Sequence, residues 1–439
     1  MTRKHYPRWY RLFSIISTRI NRLGANSPFQ YLLIVLAFSG ALSPLEGQPK
    51  PVPQKITLKD GRKFSLSVPA EFEIIPAAEG FKRVRFFAKA PDGRIFVTDM
   101  HNLTDNTRGA VYILDGWDAT LGKFAKVVPY MSGLKNPNSV QFYRDAQGQD
   151  WFYLAETDKL TRRRFTRGEE KPTDTRPQTL ATFPDYGLDY KYGGWHLTRT
   201  IAFGINGKLY VSVGSSCNSC EEKERVRASI VEMNPDGTEQ REFARGLRNA
   251  VGLKWFGNTL FATNQGSDHL GNNRPDETFY AMAADSPTTP ALQSLSHPSS
   301  GRRGVYDYGW PYCHSNNGKI FADPILKRGF GCRRVTRPYA WFPARSSALG
   351  FDYFTDPETP AVLKNAFLVS LHGSTNKDIG HGYKIVLMRK GERLQDFITG
   401  FLQGGTVHGR PCDIMKLDSK SFLFTDDHHG VIYLVRKRT

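Results

Sequence analysis

An all-β fold, a six-bladed β-propeller of four-stranded antiparallel blades, is the class the sequence predicts, and three observations predict it. A β-prone run, a turn and a second β-prone run recur six times along the 439 residues. Most copies begin about 50–60 residues apart, the room one four-stranded sheet takes in a radially repeated architecture. Forty glycines and an aromatic content of 13% suit a β fold that turns often.

The copies follow in order. The first joins 83–87 to 94–99 through Pro91-Asp92-Gly93, and the second joins 139–143 to 151–156. The third, 200–204 and 208–213, turns at Asn206-Gly207, a pair that accepts the positive φ angles of a tight hairpin. The fourth pairs 251–255 with 259–263, the fifth 349–353 with 366–370, and the sixth 413–417 with 422–426. The interval between the fourth and fifth copies is roughly double the others, an excess that falls at about 266–346. Stretches such as Ala284-Asp285-Ser286-Pro287 and the run from Ser296 to Gly301 punctuate it. It therefore reads as an insertion on the binding face rather than as a seventh blade.

Residues 51–439 are expected to form one propeller domain, because a closed ring of repeats is a single cooperative unit. Residues 1–50 differ from the rest: Arg3, Lys4, Arg8, Arg11, Arg19 and Arg22 precede an apolar run at 31–42. That run falls short of the roughly 20 residues needed to span a bilayer. A basic lead, an apolar centre and Ser39-Gly40-Ala41 fit an export signal, and an uncleaved membrane anchor also stays open. Either implies a periplasmic or otherwise exported protein, with membrane association possible through the N-terminal segment.

The formal net charge is +18, of which residues 1–50 hold +6, seven basic residues against Glu46, leaving +12 for the domain. Such a charge suits nucleic acid, an acidic surface or a small polyanion. No nucleic-acid motif accompanies it and the basic residues are scattered among the β runs, so nucleic acid is not the expected partner. Five cysteines fit an exported chain with two disulfides and one spare thiol. Cys217-Asn218-Ser219-Cys220 fits a disulfide, half of a zinc site or a redox pair. Glu221 in place of histidine excludes a c-type haem. The pairing expected is Cys217 with Cys220 and Cys313 with Cys332, with Cys412 left over.

Serine-nucleophile, H-E-x-x-H and phosphate-loop motifs are absent. What remains is a constellation at blade entrances. His196 stands just before the third hairpin, where a neutral imidazole would accept a proton from an alcohol. Arg248 and Asn249 stand in the equivalent place before the fourth, offering a planar fork and a donor–acceptor pair. Gln265, Gly266, Ser267 and Asp268 follow that blade's second run, where backbone carbonyls suit a hard cation such as calcium. Lys384, and Arg410 before the sixth hairpin, add further cations. Positive groups converging on one axis repel unless an anion lies between them, which points to a ligand with several carboxylates.

These residues sit in longer phrases: 195–204, Tyr210 to Cys220, Phe243-Ala244-Arg245-Gly246-Leu247-Arg248-Asn249, and Tyr308-Gly309-Trp310-Pro311-Tyr312-Cys313. Leu371-His372-Gly373-Ser374, Gly382-Tyr383-Lys384 and His408-Gly409-Arg410-Pro411 extend the series. Together, over roughly 75–437, they resemble the glucose/sorbosone dehydrogenase family. The resemblance implies a six-bladed propeller that binds pyrroloquinoline quinone (PQQ) and calcium and oxidises a sugar or related aldehyde outside the cytoplasm, passing electrons to a separate acceptor. His196 would then be the base, and Arg248 the group that polarises the accepting quinone oxygen. Asn249, Gln265, Lys384 and Arg410 would hold the cofactor, and carbonyls near Gly266 and Ser267 would bind calcium. The chain departs from the family pattern at Arg345, Thr375, Lys377 and Cys412, which border the expected cofactor. Two other readings stay open: a non-catalytic propeller that binds a glycan or a protein, and a calcium-dependent lactonase or esterase.

Overall fold

The computed structural model describes residues 50–185, 196–283, 305–327 and 331–438. Six four-stranded antiparallel sheets follow one another along the chain. Their first strands are Val84–Lys89, Ser139–Arg144, Arg199–Phe203, Ala250–Phe256, Ala348–Phe354 and Pro411–Lys416. Each of these packs on the next, and the sixth packs back on the first, closing a ring about a central axis. The sixth sheet is completed out of sequence: Phe72–Glu79 pairs antiparallel with the C-terminal strand Val431–Lys437, so opposite ends of the domain lock the ring.

The reason these segments form strands is plain in their burial. Ile95–Asp99, Asp150–Ala155, Leu209–Val213, Ala366–Leu371 and Ser421–Asp426, all second strands, are buried along their whole length. A strand covered on both faces carries an unbroken apolar run rather than an alternating one. One apolar core fills each junction between blades: Phe96 with Phe152, Tyr153 with Ile201, Tyr210 with Leu260, Phe279 with Phe351, Leu368 with Phe422, and Val97 with Leu423 lie in the six respective clusters. The fourth junction is the most aromatic, with Phe279 and Phe351 edge-to-face at 4.8 Å. A seventh small cluster, Phe86, Val251, Leu349 and Cys412, draws on the first strands of four blades.

Recurrent hydroxyl residues stitch the first strands together. The hydroxyls of Thr98, Thr200, Thr263 and Thr425 donate to the carbonyls of Asn138, Val251, Leu349 and Arg85 at 2.6–2.8 Å, each crossing to a neighbouring blade. Three of these also accept an amide from a bulged first strand: Phe86, Gly252 and Asp413. A bulge leaves a backbone group out of the ladder, and the threonine restores its partner. That explains why Thr-Asp, Thr-Asn and Thr-Asp end second strands at 98–99, 263–264 and 425–426.

The insertion expected at 266–346 lies inside the fourth blade, between its third strand, Glu277–Ala283, and its fourth, Ala340–Phe342. It lends Tyr306–Asp307 to the third blade as a parallel fifth strand and forms a hairpin, Cys313–Asn316 with Lys319–Ala322. Both expected disulfides are present, Cys217–Cys220 and Cys313–Cys332, and Cys412 is a buried free thiol. A hairpin ahead of the ring, Pro51–Thr57 with Lys63–Pro69, seats Ile56, Leu58, Leu66 and Val68 in the core between the fifth and sixth blades. The export signal or anchor read from residues 1–49 lies outside the described residues.

Candidate active site

In every blade the start of the first strand faces the end of the second: Val84 opposes Asp99, Ser139 Ala155, Arg199 Val213, Ala250 Asn264, Ala348 Leu371 and Pro411 Asp426. Loops that enter the blades and loops that leave the second strands therefore gather on one face. His196, Arg248, Asn249, Gln265, Arg345, His372, Arg410 and Asp427 all lie on these loops.

His196 holds a left-handed backbone conformation, φ 50°. Its Nδ1 is 2.9 Å from the Ser215 carbonyl and 3.0 Å from Ser215 Oγ. Ser215 Oγ donates its own proton to the Cys217 carbonyl, so it accepts from the imidazole. Nδ1 is then the protonated nitrogen, which assigns the lone pair to Nε2. Burial, reinforced by the charge on Arg248, holds the imidazolium well below the usual histidine range. The ring is thus a neutral base at physiological pH.

Gly214 is what lets these groups meet. A Cβ there would lie 2.5 Å from both Asn249 Oδ1 and His196 Cβ, closer than any side chain tolerates. Asn249 gives Nδ2 to Gln265 Oε1 at 2.8 Å, and the Gln265 amide returns to the Asn249 carbonyl at 3.1 Å. Asn249 Oδ1 is buried with no hydrogen-bond partner. The Arg248 guanidinium is held by the Asn218 carbonyl at 2.8 Å and Asn218 Oδ1 at 3.0 Å, and stands 3.5 Å from Asp268. The Cys217–Cys220 loop is thus the clamp that aims Arg248. Burial lowers the Arg248 pKa, yet guanidinium stays charged in proteins.

The structure brings His196, Arg248, Asn249 and Gln265 into one cluster. It handles the remaining expected residues differently. Gly266 gives its amide to the buried Glu277, whose carboxyl is pushed up to about 8, chiefly by burial. The Ser267 carbonyl accepts Arg345 Nη1 at 2.9 Å and Ser267 Oγ accepts Trp310 Nε1 at 3.0 Å. Lys384 begins the third strand of the fifth blade and pairs with Asp396 on that blade's outermost strand at 2.9 Å; among the described residues this is its only ion pair. Arg410 lies over the Tyr383 ring and donates through Nη2 to the Ser374 carbonyl and Tyr383 hydroxyl. Beside it, Asp427 joins His372 at 2.7 Å to Arg85 at 2.8 Å and Arg83 at 3.1 Å. Burial drives the His372 pKa down to about 4. Ser215, Asn218, Glu277 and Asp427 were not singled out from sequence; a serine, an asparagine or an acid beside a turn carries no pattern of its own. The departures resolve as follows: Cys412 fills the apolar cluster, Lys377 reaches the Gly405 carbonyl at 2.7 Å, and Thr375 is exposed.

A family model described as TrAA12-like matches residues 187–396. The match spans a little under half of the chain, and it is a likeness of that central part. This agrees with the resemblance to quinone-dependent sugar dehydrogenases. Among solved structures, a Trichoderma reesei carbohydrate-active enzyme of family AA12 aligns with TM-score 0.65 at 16% identity, over 89% of this chain and 98% of that one. The holo PQQ domain of pyranose dehydrogenase from Coprinopsis cinerea aligns with TM-score 0.66 at 17% identity, over 87% and 98%. A Thermus thermophilus putative oxidoreductase (glucose dehydrogenase) aligns with TM-score 0.53 at 15% identity, over 83% and 99%. At such identities the likeness carries the propeller fold. An uncharacterized protein of Borreliella burgdorferi is 27% identical over 239 residues, 52% of this chain and 57% of its own length.

The residues suit a planar, anionic quinone: the buried guanidinium of Arg248 supplies positive charge, His196 and Asn249 come together around Gly214, and Asn249 Oδ1 stands ready to accept from a ligand N–H or O–H. The calcium set does not fit in the same way, because the Ser267 carbonyl already serves a guanidinium.

Proposed function

We propose that this chain is a quinoprotein oxidoreductase that oxidises a hydroxyl or aldehyde-hydrate carbon of a sugar or related compound. The observation that carries the reading is His196, its tautomer set by Ser215 and its ring set against Arg248 and Asn249. PQQ, when bound, supplies the two-electron acceptor for the substrate hydride. The protein supplies the rest. His196 Nε2 takes the substrate hydroxyl proton as the C–H bond weakens, a role a depressed pKa keeps available at neutral pH. Arg248 presents a fixed positive charge where negative charge grows on the acceptor oxygen, and Asn218 keeps it from swinging away. Asn249 and Gln265 orient the ligand edge, and Arg410 offers charge from across the face. Electrons then pass to a separate acceptor. We place the activity in the periplasm or otherwise outside the cytoplasm, with which two disulfides are in keeping. The test is His196→Ala: turnover with dye as acceptor falls by about 10²–10⁴-fold while quinone affinity is kept. Unchanged turnover would leave a base elsewhere, and a chain that never binds quinone would favour the non-catalytic binding propeller.

A further inference from the structure

We propose that the guanidinium of Arg345 takes the place of a divalent cation in the loop after the fourth blade's second strand, so that this chain binds its anionic ligand without calcium. For the ligand, the inference rests on the quinoprotein reading; for the cation, it rests on the loop alone. Arg345 Nη1 donates to the Ser267 carbonyl at 2.9 Å and to the Asp268 carboxylate. Nη2 donates to the Asp268 carbonyl at 2.6 Å and to the Gly271 carbonyl. Three carbonyls and a carboxylate of one short loop thus converge on a single cation. Inward-turned carbonyls are costly unless a cation or donors satisfy them, and a guanidinium carries enough N–H groups to serve all four oxygens.

The rest of the neighbourhood is built around this arrangement. Arg345 is buried and held at φ 67°, a left-handed conformation that a side chain of this kind adopts only when its surroundings hold it there. The loop is pinned from the far side as well. His269 reaches Asp323 at 2.7 Å, His314 shares the same carboxylate oxygen at 2.8 Å, and the other oxygen accepts the amides of Ile325 and Leu326. Trp310 holds the Ser267 hydroxyl. Charge gives an independent argument. Asp268 already faces two guanidiniums, those of Arg345 and of Arg248 at 3.5 Å. A calcium ion here would have to displace the first and sit against the second.

The experiment uses the full-length chain, stripped with chelator. Calcium, and terbium as a luminescent probe, are titrated into the wild type, into Arg345→Ala and into Arg345→Lys; PQQ is titrated into the wild type with chelator and with calcium. The inference expects no micromolar calcium binding at this loop in the wild type and a quinone Kd that agrees within about twofold with and without calcium. It expects Arg345→Ala to lower Tm and to gain calcium affinity, with Arg345→Lys between the two. One calcium bound at micromolar affinity by the wild type and lost in Asp268→Asn overturns it. So does quinone release by chelator, or an Arg345→Ala Tm equal to wild type. If PQQ binds under neither condition, the quinoprotein reading fails, while the wild-type calcium titration still decides the cation.

Discussion

His196 is held neutral by burial and by Arg248, and that has a signed consequence for the pH profile. A base whose pKa is lowered loses function only as pH falls through the lowered value. The acid limb of kcat/KM is therefore expected well below the ordinary histidine range; a limb at or above neutrality would show that the ring is not buried in this way. Glu277 runs in the opposite direction. Its folded pKa of about 8 exceeds the ordinary glutamate value of 4.5, so the folded state holds a proton that the unfolded state gives up. Stability then falls as pH rises from about 4.5 to about 8, by the linkage between bound protons and folding. Glu277→Gln should flatten this slope and raise Tm most near pH 8, which differential scanning calorimetry across pH reads directly; an equal Tm shift at pH 5 would contradict it. At this scale the sequence pointed to His196, Arg248 and Asn249 because each precedes a recognisable hairpin. Glu277 and Asn218 gave no such signal, since their roles arise from burial and from a disulfide loop folding back onto Arg248.

The loop bounded by Cys217 and Cys220 carries Asn218 to Arg248, and Gly214 gives His196 and Asn249 room to approach. Asn218→Ala removes the side-chain acceptor of Arg248 Nη2 while the backbone carbonyl that holds Nε stays, a loss of one hydrogen bond to a charged group worth about 1.5–3 kcal/mol. The expected outcome is a rise in quinone Kd of about tenfold or more with Tm little changed; an unchanged Kd would mean that Arg248 is aimed by other groups. Gly214→Ala should instead cut kcat, because the new methyl would lie 2.5 Å from His196 Cβ and the ring must shift, with overpacking costing about 1–3 kcal/mol. Strands were the most legible elements, since a run buried on both faces reads the same wherever it lies in the ring. The insertion was legible as an excess of chain, but not its division of the fourth blade or its gift of Tyr306–Asp307 to the third. Lys384 was placed with the site because of the phrase around it. Its strand lies between the second and the outermost of its blade, and its partner is Asp396.

The ring closes where Phe72–Glu79 pairs with Val431–Lys437. Every other blade takes its four antiparallel strands in chain order, so this seam is where the molecule is held as one unit. A chain beginning at Lys50 should melt cooperatively. One beginning at Gly80 loses that strand and the hairpin seated in the core between the fifth and sixth blades, and should lose cooperative melting altogether; retention of a sharp transition would place the closure elsewhere. Six-fold repetition with a late partner for the first β segment was legible as a count of copies, whereas the identity of the closing strand was not, because Phe72–Glu79 stands before the first repeated phrase.

The most direct measurement is anaerobic mixing of the quinone-loaded full-length chain with a panel of aldoses, sugar alcohols and aldehydes, following the absorbance of the quinone in wild type and in His196→Ala. The account predicts stoichiometric quinone reduction by at least one substrate class in the wild type, slowed by about 10²-fold or more in the variant at equal loading. Equal rates in the two proteins, or a wild type that takes up no quinone, would contradict it.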